Sequence, residues 1–68
     1  MAEKVFSISE IAGTSDESVE RAIENAIART RQTMRNLEWF QVEEVRGAIS
    51  GDSIEYQVAL KVGFKLEP

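Results

Sequence analysis

Side chains that commonly do chemistry are scarce in this chain. It contains no histidine and no cysteine. Ser-His-Asp triads, thiol nucleophiles, disulfides and most zinc sites are therefore excluded. The four glycines are isolated, so no glycine-rich phosphate loop is present. Glu43 and Glu44 form a carboxylate pair in sequence, but neighbours in a strand point to opposite faces. Acid-base work needs such groups to converge on one proton, so surface charge or a β-bulge is the expected role. Arg29, Arg31 and Arg35 read as solvated helix charges, with a phosphate contact for one of them as the alternative. What remains is aromatic. The stretch NLEWFQVEEVRG carries the only tryptophan, Trp39, with Phe40 directly after it. One of these two must face away from the core. An outward tryptophan is either an interface anchor or a stacking platform for something flat.

The elements that position Trp39 follow from the pattern around it. KVFSISEIAG is rich in β-branched and aromatic residues, and Lys4 to Ile11 is expected as a strand. In GTSDES, Thr14 and Glu17 have capping-box spacing, and Asp16 and Glu17 suit the positive end of a helix dipole. A helix is expected from about Asp16 to Arg35. Val19, Ala22, Ile23, Ala26, Ile27, Thr30 and Met34 form one stripe at spacings of three and four. The alanines allow a close approach to a sheet. Gly51-Asp52 then reads as a two-residue hairpin turn between two strands. In the last strand Ile54, Tyr56, Val58, Leu60, Val62, Phe64 and Leu66 share one parity, which marks one buried face. The expected fold is α+β, in the order β-α-β-β. A three-stranded antiparallel sheet wraps one helix in a single domain covering residues 1–68.

Register decides which way Trp39 faces. With Gly51-Asp52 as the turn, Ile49 meets Ile54 and Val45 meets Val58. An uninterrupted ladder would then leave Phe40 and Val42 outside and bury Gln41 and Glu43. One extra residue near Glu43-Glu44, a bulge, reverses this. Phe40 and Val42 turn inward, and Trp39 sits opposite Gly63, which has no side chain to cover it. Trp39, Gln41, Arg46, Gln57 and Lys65 then share the face away from the helix. Alternatively, Trp39 packs against its own helix. In the bulged register Gln57 pairs with Arg46, roughly 23 Å along the strand from Trp39. A small ligand touching both Trp39 and Gln57 therefore takes them from different chains.

Size leads to the same expectation. A chain of 68 residues buries only about 60% of its unfolded surface. Small proteins of this kind are stapled by disulfides, metals or partner chains, and here partner chains remain. The final strand of about 13 residues spans roughly 43 Å, while a helix of about 20 residues spans about 30 Å. The uncovered length calls for another chain. The net charge of −4 argues against non-specific nucleic-acid binding. No apolar run suggests a signal peptide or a membrane span, so a cytoplasmic protein is expected.

Taken in order, GTS before the helix, LEWFQVEEVRG entering the second strand and EYQVALKVGFKL in the third resemble the bacterial dodecins over essentially the whole chain. The resemblance implies a hollow homododecamer that stacks flavins (FMN, riboflavin or FAD) between tryptophans of neighbouring subunits near two-fold axes. On this resemblance Trp39 stacks, Gln57 bonds the polar ring edge and Arg46 lies near the ligand. Lys65 stands where many bacterial members carry arginine. It keeps the charge but loses the bidentate fork for phosphate, which leaves the preferred flavin open. The implied role is flavin storage, buffering and photoprotection without turnover. Three alternatives are weighed against it: a flavin-dependent oxidoreductase, a purely structural assembly in which Trp39 plugs a neighbour, and a coenzyme A binder using Arg29, Arg46 and Lys65.

Overall fold

The computed structural model describes residues 3–67. Its elements are β1 (Phe6–Ser15), α1 (Val19–Arg31), β2 (Leu37–Ser50) and β3 (Ser53–Lys65). The sheet is antiparallel in the order β1-β3-β2, so the last strand is central and both others are edges. The expected β-α-β-β order and its antiparallel sheet are present.

The boundaries differ from expectation at both ends of the helix. Strand β1 continues to Ser15, because Gly13, Thr14 and Ser15 pair with Val58, Gln57 and Tyr56. Thr14 is therefore not a cap. The Ser15 hydroxyl instead accepts the Glu17 amide at 2.9 Å, turning the chain, and Ser18 caps the helix by accepting the Arg21 amide at 3.0 Å. Two serines thus take the place of the Thr14–Glu17 box. At the other end the Gln32 amide bonds back to Arg29 and the Thr33 amide to Thr30. These shorter-range bonds close the helix four residues before Arg35. Asn36 then adopts φ 64°, a left-handed conformation that asparagine tolerates.

The stripe performs as expected from Val19 to Thr30, while Met34 falls beyond the end of α1. Ala22, Ala26 and Thr30 are buried, and Val19, Ile23 and Ile27 pack on the same cluster. They meet Val58, Leu60 and Val62 of β3, the most deeply buried large side chains. Gly13 makes this closeness attainable. A Cβ there would collide with the Ala22 carbonyl and lie 2.8 Å from the Ala26 Cβ.

A helix of 13 residues is roughly 20 Å long, shorter than expected, so the uncovered apolar face is larger. The hairpin arm projects beyond the helix, and the molecule measures 54 × 21 × 14 Å. Phe40, Val42, Val45, Ile49 and Ile54 lie on the helix side of β2 and β3 yet remain exposed, Ile49 at 83%. At the hairpin tip Gly51 takes φ 58° and Asp52 does not take positive φ, the type II′ arrangement that matches strand twist. Among the described residues no helix is long and apolar enough to cross a membrane.

Candidate functional site on the outer face of the sheet

Two irregularities in β2 set which side chains reach the face opposite the helix. Between Val42 and Glu44 the register shifts by one residue, so Glu43 has no partner of its own on β3. This is the bulge that parity favoured near Glu43-Glu44. It lets Val42 oppose Leu60 and Val45 oppose Val58, with both β2 residues on the helix side. A second shift lies between Leu37 and Trp39, where the expected ladder ran on without a break. It places Leu37 and Phe40 on one side of the sheet although three positions separate them. Trp39 is thereby held on the other.

Trp39 is paired with Gly63, as the bulged register requires. Its indole lies directly over that glycine. A Cβ at Gly63 would overlap indole atoms Nε1, Cε2 and Cζ2. Phe6 of β1 packs against the indole edge, with ring centroids 6.1 Å apart and planes at 65°. This edge-on contact is a favoured aromatic geometry. The indole is thus braced from below and from one side, and it remains 38% exposed. It does not pack into the helix core.

The polar end of the face is built around Gln57. Arg46 pairs with it across the strands and donates from Nε to Gln57 Oε1 at 2.9 Å. Gln57 Nε2 donates to Glu55 Oε1 at 2.9 Å, and Arg46 Nη1 lies 3.5 Å from Glu44 Oε1. Glu43 is held separately by Lys61 at 3.6 Å. Gln57, Arg46 and Glu44 border a shallow hollow of about 250 Å³ that Ala12, Thr14 and Ala59 also line. Small residues at Ala12 and Ala59 leave its floor open.

Gly63 and Gln57 are six positions apart on β3, roughly 20 Å at strand spacing. Within one chain the indole and the amide therefore cannot touch the same small molecule. Gln41, opposite Lys61, lies between the two ends. Lys65 lies near the aromatic end, opposite Phe6, and borders a separate hollow with Asn36, Glu38 and Glu67. Arg29 is not on this face. It projects from the last turn of α1, donates to Gln32 Oε1 at 2.8 Å and borders a hollow with Thr14 and Asn25. Arg29, Arg46 and Lys65 thus occupy three separate places in one chain.

Sequence pattern alone does not single out Phe6 or Glu55. Glu55 shares the parity of Gln57 and stands two residues before it, which is a usable signal. Phe6 carries no such signal, because the imperfect alternation of β1 leaves its register against β3 open. Among the described residues, no group of three or more acidic, histidine or cysteine side chains is arranged to hold a metal ion.

Comparison with known proteins agrees with this architecture. The dodecin family model matches residues 5–67. The dodecin of Thermus thermophilus is 52% identical over 65 residues, covering 94% of each chain. Among solved structures, an arginine-to-alanine variant of that protein superposes with a TM-score of 0.92 at 51% identity, covering 97% of this chain and 98% of the other. The dodecin of Streptomyces davaonensis gives 0.93 at 44% identity, with coverages of 98% and 100%. A Mycobacterium tuberculosis protein described as a calcium dodecin gives 0.83 at 32% identity, with coverages of 94% and 93%. With the family model spanning nearly all of the chain and a relative more than half identical, this protein belongs to the dodecin family.

Proposed function

We propose that the chain assembles into a closed homododecamer that stores and buffers flavins, holding each isoalloxazine ring against Trp39 of one subunit and Gln57 of a neighbour. The observation that carries this is the outer face itself. It offers an exposed, braced indole at one end and an amide with unused hydrogen-bonding capacity at the other. The two are too far apart to serve one ligand within a chain. A flat ring with a polar edge fits that pair: stacking requires only a π-face, and the edge requires a donor and an acceptor. The uncovered apolar residues Phe40, Val42, Val45, Ile49 and Ile54 support assembly, because exposed apolar patches of this kind mark interaction surfaces.

Membership in a family of small flavin-binding proteins supports the ligand class. Stacking on an electron-rich indole gives the excited flavin a route to quenching before it reacts, which is the basis for photoprotection. Three carboxylates of this face, those nearest Gln57 and Lys61 on β2 and β3, are engaged, Glu43 by Lys61, Glu44 by Arg46 and Glu55 by Gln57. That arrangement favours a binding protein over an oxidoreductase. Titration of riboflavin, FMN and FAD into purified protein, read by flavin fluorescence, tests the proposal. Strong quenching at saturation is expected, and unchanged fluorescence for all three flavins overturns it.

A further inference from the structure

We propose that Glu55 is a positioning residue that fixes the orientation of the Gln57 amide and thereby sets which ligand edge the site accepts. This rests on the proposed flavin site and concerns a residue outside it.

An amide side chain can be turned over without changing its shape, exchanging its donor and acceptor ends. At Gln57 the surroundings permit one orientation. Arg46 can only donate, so the atom facing its Nε at 2.9 Å must be Oε1. Ionised Glu55 can only accept, so the atom 2.9 Å from its Oε1 must be Nε2. Turning the amide over would place its NH₂ against a guanidinium and its oxygen against a carboxylate. Both charged neighbours therefore enforce the same orientation, from opposite ends.

Each bond uses half of the capacity at its end. Nε2 has two hydrogens and gives one to Glu55; Oε1 accepts twice and takes one hydrogen from Arg46. What Gln57 still presents is an acceptor on the Arg46 side and a donor on the Glu55 side, in fixed order. This matches a ligand edge with an N–H beside a C=O, the pattern of a cyclic imide. The pyrimidine edge of a flavin has that pattern. Without Glu55, Arg46 alone holds Oε1, and the NH₂ end loses the partner that fixes the tilt of the amide plane.

Riboflavin and N3-methylriboflavin separate the imide hydrogen bond from stacking, because the methylated ring stacks but has no imide N–H. The parent protein is expected to prefer riboflavin by at least about tenfold, the effect of leaving one polar partner unmatched. In Glu55→Ala the preference should fall to within about threefold, through weaker riboflavin binding, with N3-methylriboflavin affinity unchanged. Glu55→Gln, which keeps an acceptor, should restore most of the preference. A preference equal to the parent's in Glu55→Ala overturns the proposal. Crystal structures of the flavin-free parent and of Glu55→Ala supply an arm independent of flavin. One Gln57 conformer in the parent and more than one in the variant supports the role, and a single unchanged conformer in both refutes it. A parent that binds neither flavin defeats the proposed function and leaves the crystallographic arm to decide Glu55.

Discussion

Replacing Gly63 by alanine adds one methyl group, and the structure says where it goes. Gly63 does not adopt positive φ, so alanine is accepted by the backbone and has the better strand propensity. The difficulty is the indole. The new Cβ would fall within the space of Trp39 Nε1, Cε2 and Cζ2, closer than non-bonded carbons approach. Trp39 must swing off the strand, losing its support and its contact with Phe6. If Trp39 is the stacking platform, flavin loses a preformed surface. Aromatic stacking contributes about 1–3 kcal/mol per ring, so affinity should fall roughly 5- to 150-fold. Gly47→Ala is the matched control. It also adds a methyl, on β2, but the Cβ would meet Glu55 O at 3.4 Å and Ile54 Cγ2 at 3.7 Å, in ordinary contact. Fluorescence titration of parent, Gly63→Ala and Gly47→Ala, on assemblies that sediment alike, measures the effect. Parent-like affinity in Gly63→Ala, or equal losses in both variants, refutes the assignment of the indole as the platform.

Trp39→Ala should nearly abolish flavin quenching while sedimentation stays that of the parent; collapse of the assembly would make Trp39 a structural plug. Gln57→Glu should weaken flavin binding about tenfold, because the amide donor is lost and a second carboxylate faces Glu55, as isothermal titration would register. Ile49→Asp should reduce the assembled mass seen by sedimentation, since a charge would replace the most exposed large apolar residue of the projecting arm. Gly13→Ala should lower stability by about 1–3 kcal/mol through overpacking against α1, lowering Tm by about 4–8 °C per kcal/mol for a domain of this size.

The parts of this fold that were legible in the sequence are those governed by parity. The unbroken apolar series from Ile54 to Phe64 defined one face of β3, and Gly51-Asp52 fixed where the hairpin turned. Together they favoured a bulge near Glu43-Glu44 with Trp39 over Gly63, and the structure has both. What was not legible depended on tertiary pairing or on local hydrogen bonds. Gly13 to Ser15 read as a prelude to the helix because serine, threonine and glycine suit both turns and caps. Pairing with Val58 to Tyr56 made them strand. The helix pattern ran on through Met34, yet the amides of Gln32 and Thr33 bond to closer carbonyls and end it. At the site, residue type singled out Trp39, register put it on one face with Arg46 and Gln57, and the family resemblance alone gave those two a ligand role. The side-to-side arrangement that adds Phe6 and Glu55 required strand partners and rotamers, which no periodicity encodes.

If one flavin is held by Trp39 and Gln57 from different chains, complementation between variant subunits shows it most directly. With protein and flavin held near the parent's Kd, Trp39→Ala and Gln57→Glu assemblies are each expected to show little flavin quenching, the first for want of an indole and the second because a tenfold weaker site stays mostly empty. Co-expressed as one mixed assembly, they should regain part of it. A Gln57→Glu chain supplies an intact Trp39, and a neighbouring Trp39→Ala chain supplies an intact Gln57. Quenching by the mixed assemblies well above that of a blend of the two separately purified variants is the predicted result. Quenching no greater than that of the blend would contradict a site shared between chains.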